Sequence, residues 1–255
     1  MSLSVVINTF NEEKNIRDCL ETVRWADEII VVDMYSDDRT VEIAREYTDK
    51  IFFHERTYYV EPARNFAISQ ASCDWFLILD ADERIPPELR DEIIETIQNP
   101  GDYVAFRILR RDYMFGRWIN YGIWRHQQMA RLFRKGSCHW PDRVHTQPIV
   151  NGPIGMLKTP FPHFSHRTIE RFIAKLNLYT SLEAQEKYKQ GIRTSLFVSF
   201  LSACIRFAKE YVAYQGFRDG GHGLILAILM AVYQFTTNAK LWELWYKHDH
   251  NLPLD

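Results

Sequence analysis

Cysteine is sparse and never paired along the chain. Cys19, Cys73, Cys138 and Cys204 lie far apart, with no CxxC and no repeated spacing, which argues against a disulfide framework and for reduced thiols in a cytoplasmic setting. Neither sign of charge prevails. The 31 Lys and Arg face 33 Asp and Glu for a net −2, so nucleic acid is not an expected partner and any anion binding must be local. The start of the chain, MSLSVVINTFNEEKN, has no basic n-region and no small-residue cleavage site, so no signal peptide is expected. Internal repeats and low-complexity tracts are missing as well. Residues 220–239, GGHGLILAILMAVYQFTTNA, lack Asp, Glu, Lys and Arg. A bilayer span needs about 20 predominantly apolar residues, and His222, Gln234 and Asn238 interrupt this stretch, so a full span is not favoured.

What is present divides in two. From residue 3 to about 110, strand-like and helix-like runs alternate, the pattern of an α/β domain on a largely parallel sheet. Strands are expected at Leu3 to Asn8, at EIIVVD ending in Asp33, at Ile51 to Phe53, and at the apolar run from Trp75. Between them, helices are expected from Glu12 to about Arg24 with Asn11 as cap, near Thr40 to Tyr47, and near Pro62 to Gln70. The Pro86-Pro87 pair suits the first turn of a further helix, with Leu89, Ile93, Ile94 and Ile97 on one face. After residue 110, aromatic, basic, Gly and Pro residues crowd together, which predicts strands and long loops over the sheet edge. Three helices are expected at 168–189, 194–214 and 222–246. The domain division expected is 1–166 for the α/β part and 167–255 for the helical part.

The stretch WFLILDADERIPP, residues 75–87, ends an apolar strand in Asp80 and Asp82. In open α/β sheets, ligands bind outside the carboxyl ends of the strands. Asn8 to Glu12, Asp33 to Ser36 and Asp80 to Asp82 would form one acidic, amide-rich rim there. Two aspartates two apart suit a hard cation, Mg²⁺ or Mn²⁺, that also bridges substrate phosphates. The plainer reading is a strand cap and turn before Pro86.

SVVINTFNEEKNI, IIVVDMYSDDRTVEIA and ARNFAISQASCDWFLILDADE, in this order and spacing, resemble the inverting family 2 glycosyltransferases of GT-A fold. RLFRKG, DRVH and HFSH, with the C-terminal helices, are similar to the bacterial subgroup that builds lipopolysaccharide core and related surface glycans. The resemblance implies that Thr9, Asn11 and Glu12 line a nucleotide pocket and that Asp33 accepts a hydrogen bond from the base. It places Arg64 near the nucleotide and diphosphate, Asp80 at the ribose or metal-linked water, and Asp82 on the metal, with His163 as a further metal ligand. Met34-Tyr35 stands where the family usually has small residues.

Inverting transfer also requires a general base opposite the leaving diphosphate. CHWPDRVHTQP offers Asp142, favoured because Trp140 would desolvate it, and His145 as the alternative; Thr146 stands where relatives often carry an acid. Arg131, Arg134 and Lys135 would face an anionic acceptor or the diphosphate, or form a solvated basic face. The partners implied are a nucleotide-sugar donor, by analogy a UDP-sugar, and a glycan or lipid-linked acceptor. The C-terminal helices, apolar and aromatic with Arg206, Lys209, Lys240 and Lys247 at their flanks, would lie in a membrane surface or pack on each other or on a second subunit. Two other function classes compete: a haloacid-dehalogenase-type phosphatase, against which Arg84 stands where Thr or Val is wanted, and an inactive membrane-associated binding module.

Overall fold

In the computed structural model, which describes residues 1–55, 61–125, 127–141 and 147–253, four parallel strands run in the order β4-β1-β2-β3. They are β1 (Leu3–Thr9), β2 (Glu28–Asp33), β3 (Ile51–Phe53) and β4 (Trp75–Asp80). Every residue of β1 is buried, as expected of a central parallel strand covered on both faces. The two-residue period assigns the two cores. Val5, Ile7, Leu77 and Leu79 pack on one face with Ile16, Leu20, Leu89 and Ile93. Val6, Ile30, Val32, Phe76 and Ile78 pack on the other with Ala67, Ala71 and Trp140.

The helices on these faces are α1 (Ile16–Glu21), α2 (Thr40–Ala44), α3 (Glu61–Ser69) and α4 (Pro87–Gln98). On α4, Leu89, Ile93 and Ile97 are buried, while Ile94 is only half-buried. Two helices are shorter than the periodicity predicts. α1 starts at Ile16 instead of Glu12 because Asn11 has a positive φ of 52° and does not cap it. Asn11 N–H and its side-chain amide donate instead to Ser36 Oγ at 2.8 Å and Asp37 Oδ1 at 2.7 Å, and Glu12 N–H donates to Thr40 Oγ1 at 2.8 Å. These tertiary bonds pull residues 11–12 out of the helix. α2 ends at Ala44, and turn bonds such as Tyr47 N–H to Ala44 O at 3.0 Å take over.

Beyond β4 the sheet continues through β7 (Gln128–Arg134), β5 (Ala105–Met114) and β10 (Ile154–Met156), with β6 (Arg117–Trp118) and β11 (Phe161–His166) also on β5. β7 is antiparallel to both of its neighbours. β8 (Cys138–His139) and β9 (Ile149–Val150) form a separate pair.

The chain forms two compact units, Met1–Arg111 with His126–Ser165, and Asp112–Arg125 with His166–Asp255. The segment 112–125 therefore goes with the C-terminal helices. Within the second unit, Met114, Ile119 and Trp124 share a core with Phe172, Leu176, Leu226 and Leu229. Buried Asp219 accepts the N–H groups of Asn120 and Tyr121 at 3.0 and 2.9 Å, and Glu210 accepts that of Ile123 at 2.9 Å. Its helices are α5 (Ile169–Lys189), capped by Thr168, α6 (Leu196–Ala208), capped by Ser195, and α7 (Gly221–Asp249). A π-turn, Lys209–Ala213, follows α6. By length and composition α7 is able to cross a membrane, yet it is tied to its neighbours by polar bonds. Asn238 donates to Ser202 Oγ at 2.9 Å, and Lys240 Nζ donates to Asn177 O, Thr180 Oγ1 and Ser181 Oγ at 2.7–2.9 Å.

Candidate functional site

Strand register assembles the rim expected from the sequence. Asn8 of β1 pairs with Asp80 of β4, and Thr9 pairs with Asp33 of β2. Three polar strand ends thus stand side by side at the carboxyl edge. Asn8 and Thr9 are almost fully buried, and Asn8 Oδ1 and Nδ2 and Thr9 Oγ1 have no hydrogen-bond partner among the described residues. Buried polar atoms without partners are costly, so a ligand that supplies them is favoured here.

Asp33 is fully buried. Its carboxylate accepts Ser36 N–H at 2.7 Å and Ser36 Oγ–H at 2.6 Å, and its backbone carbonyl accepts His54 N–H at 3.0 Å. Met34 N–H donates to Thr9 O at 3.0 Å, so the loop after β2 is tethered to the end of β1. The departure Met34-Tyr35 has a visible consequence. Tyr35 adopts a positive φ of 58° and stacks on Phe53 with ring centroids 5.5 Å apart.

The carboxylates of 80–83 have different fates. Asp80 is held by two guanidinium groups: Arg64 Nη2 lies 3.0 Å from Oδ1 and Arg131 Nη2 lies 2.8 Å from Oδ2. Burial works to raise the Asp80 pKa, but Arg131 and Arg64 outweigh it and hold the carboxyl well below the usual range. Glu83 is fully buried, accepts a hydrogen bond from Arg131, and accepts Asp80 N–H at 3.0 Å. Its pKa is pushed up by burial despite the opposing pull of Arg131. Burial alone would lower the Arg131 pKa, but Glu83 and Asp80 drive it upward. The expectation that Arg131 faces solvent, acceptor or diphosphate is therefore corrected: at 2 % exposure it sits inside the protein as the counter-ion of two carboxylates.

Asp82 stands beside His163, with Nε2 3.4 Å from Oδ1. The chain places them together by zipping β11 against the turn after β4. Phe164 N–H donates to Asp82 O at 2.8 Å and Arg84 N–H donates to Pro162 O at 3.1 Å. Arg84 also locks the turn itself, donating to Ala81 O at 2.9 Å, Glu83 O at 2.8 Å and Asn15 O at 3.1 Å. Among the described residues no three His, Cys, Asp or Glu side chains form a group able to hold a metal ion. One carboxylate and one imidazole fit a cation whose remaining positions come from phosphate oxygens and water. Of the three sequence-predicted metal ligands, Asp82 and His163 are brought together, whereas both oxygens of Asp80 are engaged by guanidinium groups.

Asp142 and His145 lie outside the described residues. Their approach is anchored by a contact that sequence reasoning missed. Asn65 Nδ2 donates to Trp140 O at 2.8 Å, and Trp140 N–H donates to Asn65 Oδ1 at 2.9 Å. The neighbouring Arg64 guanidinium lies 5.8 Å from the centre of the Trp140 ring. No local pattern marks Asn65 for this role, because its partner is 75 residues away. Glu83 was missed similarly, although its place directly after the two aspartates was a usable signal.

Residues 4–151 match the family model described as glycosyl transferase family 2. The lipopolysaccharide core biosynthesis glycosyltransferase LpsC of Rhizobium meliloti is 29 % identical over 250 residues, covering 95 % of this chain and 93 % of the relative. An uncharacterized glycosyltransferase of Rickettsia typhi is 31 % identical over 266 residues, covering 99 % and 91 %. Among solved structures, S. aureus TarS 1–349 aligns with 100 % of this chain and 93 % of its own, at a TM-score of 0.49 and 17 % identity. The mostly parallel sheet flanked by helices, followed by further helices, is the GT-A architecture expected, and with more than half of its length matched by the family model the chain belongs to glycosyl transferase family 2 and is a glycosyltransferase.

Proposed function

We propose that the protein is a metal-dependent inverting glycosyltransferase. It moves a sugar from a nucleotide-diphosphate donor, a UDP-sugar, to a surface-glycan or lipid-linked acceptor such as lipopolysaccharide core. The carrying observation is the strand-end rim, in which Asp82 and His163 adjoin Asp80 while the buried side-chain polar atoms of Asn8 and Thr9 lack partners among the described residues. The name of the Rhizobium relative, similar over nearly the whole chain, supports the acceptor class.

In this reading Thr9, Asn11, Glu12 and Asp33 line the nucleotide pocket, and Arg64 adds positive charge at its diphosphate end. Asp82 and His163 would hold Mg²⁺ or Mn²⁺. The bound cation would neutralise charge developing on the leaving diphosphate. Arg131 keeps Asp80 ionised and fixed, so that its carboxylate does not reorganise when the donor binds. Asp142, or His145 in its place, takes the proton of the acceptor hydroxyl as that oxygen attacks the anomeric carbon from the face opposite the diphosphate, which inverts the configuration. We place the protein in the cytoplasm, attached peripherally to the inner face of the membrane, where a lipid-linked acceptor is reached.

Calorimetric titration of UDP with and without Mn²⁺, on the native chain and on Asp82→Ala, tests the reading. Manganese-dependent binding that the variant loses is the expected result. No nucleotide binding by the folded native protein, with GDP tried as well, overturns it.

A further inference from the structure

Helix α6 is built inside out for a helix in water. Its inner side carries hydroxyls: Ser199 is fully buried, and Ser202 accepts a hydrogen bond from Asn238 of α7. Its outer side is apolar. Phe197 is 74 % exposed, Phe200 62 % and Ile205 59 %, and Leu196, Val198 and Leu201 are each about half exposed. Neighbouring α7 adds exposed Ile228, Val232 and Phe235. Exposed apolar surface on this scale marks an interaction site.

Charge decides what covers it. From residue 191 to residue 218 the chain carries Arg193, Arg206, Lys209 and Arg218 but one acid, Glu210, and that acid is buried. Arg193 is paired with Asp249 at 2.8 Å and Arg206 with Glu210 at 3.0 Å, while Lys209 and Arg218 are exposed. A two-fold contact with a second copy would set this basic segment against itself. An anionic lipid surface complements it. Thirteen helical residues extend only about 20 Å, short of the hydrocarbon thickness of about 30 Å, so α6 suits the plane of the interface and not a span.

We propose that α6 is the membrane-docking element, lying in an anionic bilayer surface with Phe197, Phe200, Leu201 and Ile205 among the lipid chains and Lys209 and Arg218 at the headgroups. This rests on the peripheral attachment proposed above and names the surface responsible.

The test is co-sedimentation of the full chain with phosphatidylglycerol-containing vesicles and with pure phosphatidylcholine vesicles, without donor, for the native protein and for Phe197→Glu/Phe200→Glu. Both side chains are exposed, so the double variant removes no core contact, and retained UDP binding checks its fold. The native chain is expected to prefer anionic vesicles and the variant to bind at least about ten-fold more weakly. A solvatochromic label on exposed Cys204 is expected to shift to the blue with anionic vesicles only. A native chain that ignores vesicles overturns peripheral attachment altogether. Equal binding by the variant leaves attachment standing and overturns the assignment to α6. A dimer in vesicle-free buffer that the double substitution dissociates overturns the proposal in favour of a second copy.

Discussion

Arg131 Nη2 lies 2.8 Å from Asp80 Oδ2 and at the same time hydrogen-bonds Glu83, so one buried guanidinium joins the strand-end aspartate to the acid that follows it by three residues. The acidic tip is thus partly neutralised from within the protein. Removing one member of a buried charge pair costs about 3–5 kcal/mol because the other charge is left uncompensated. Arg131→Met is expected to lower the unfolding free energy by that order. Urea denaturation checks it, and a loss below about 1 kcal/mol would contradict the buried-network assignment.

Asp82 and His163 are expected to act together. Asp82→Ala should abolish Mn²⁺-dependent UDP binding. His163→Ala should weaken the Mn²⁺ requirement by at least about ten-fold, the lower end of what even outer-shell partners contribute to metal affinity. Calorimetry at fixed UDP with Mn²⁺ titrated in gives both numbers. Equal Mn²⁺ affinity in the native chain and His163→Ala would remove the histidine from the cation's surroundings.

The Asn65 clamp predicts a kinetic signature. Asn65→Ala frees Trp140 N–H and C=O, at a cost of about 1–3 kcal/mol, just before the segment that carries Asp142 and His145. Turnover is expected to fall while the Kd for UDP stays within about two-fold, because the clamp's two hydrogen bonds run between the Asn65 side chain and the Trp140 backbone and use no strand-end residue. A raised Kd with unchanged kcat would place Asn65 at the nucleotide instead.

Asp142→Asn is expected to spare donor binding and lower kcat by about 10²–10⁴, the usual contribution of a positioned general base. If Asp142→Asn turns over normally and His145→Gln does not, the base is the histidine.

Glu28 sets an acid limit on stability. Burial works against its ionisation, but Lys50, Ser4 Oγ–H and the N–H and Oγ–H of Ser72 hold the carboxylate, and its pKa falls to about 2. A carboxyl depressed in the folded state stabilises above its unfolded pKa, and that contribution disappears as pH falls through the folded value. The drop from the ordinary 4.5 corresponds to roughly 3 kcal/mol. Chemical unfolding of native and Glu28→Gln proteins is expected to differ most above pH 5 and to converge toward pH 2.

Much of the architecture was written locally. The apolar runs of β1, β2 and β4 are legible because a central parallel strand is buried on both faces, and the caps Thr168 and Ser195 sit where α5 and α6 begin. The family motifs were legible because each occupies a strand end. The start of α1 was not, since Asn11 bonds to Ser36 and Asp37 in place of capping the helix. Neither was the split between Asp80 and Asp82, two residues of the same type on one turn. Sequence alone determined that carboxylates crown a buried strand. Only the tertiary structure decided that Arg64 and Arg131 take Asp80 while β11 sets His163 beside Asp82, because charge pairing inside a protein depends on which distant strands the register brings together.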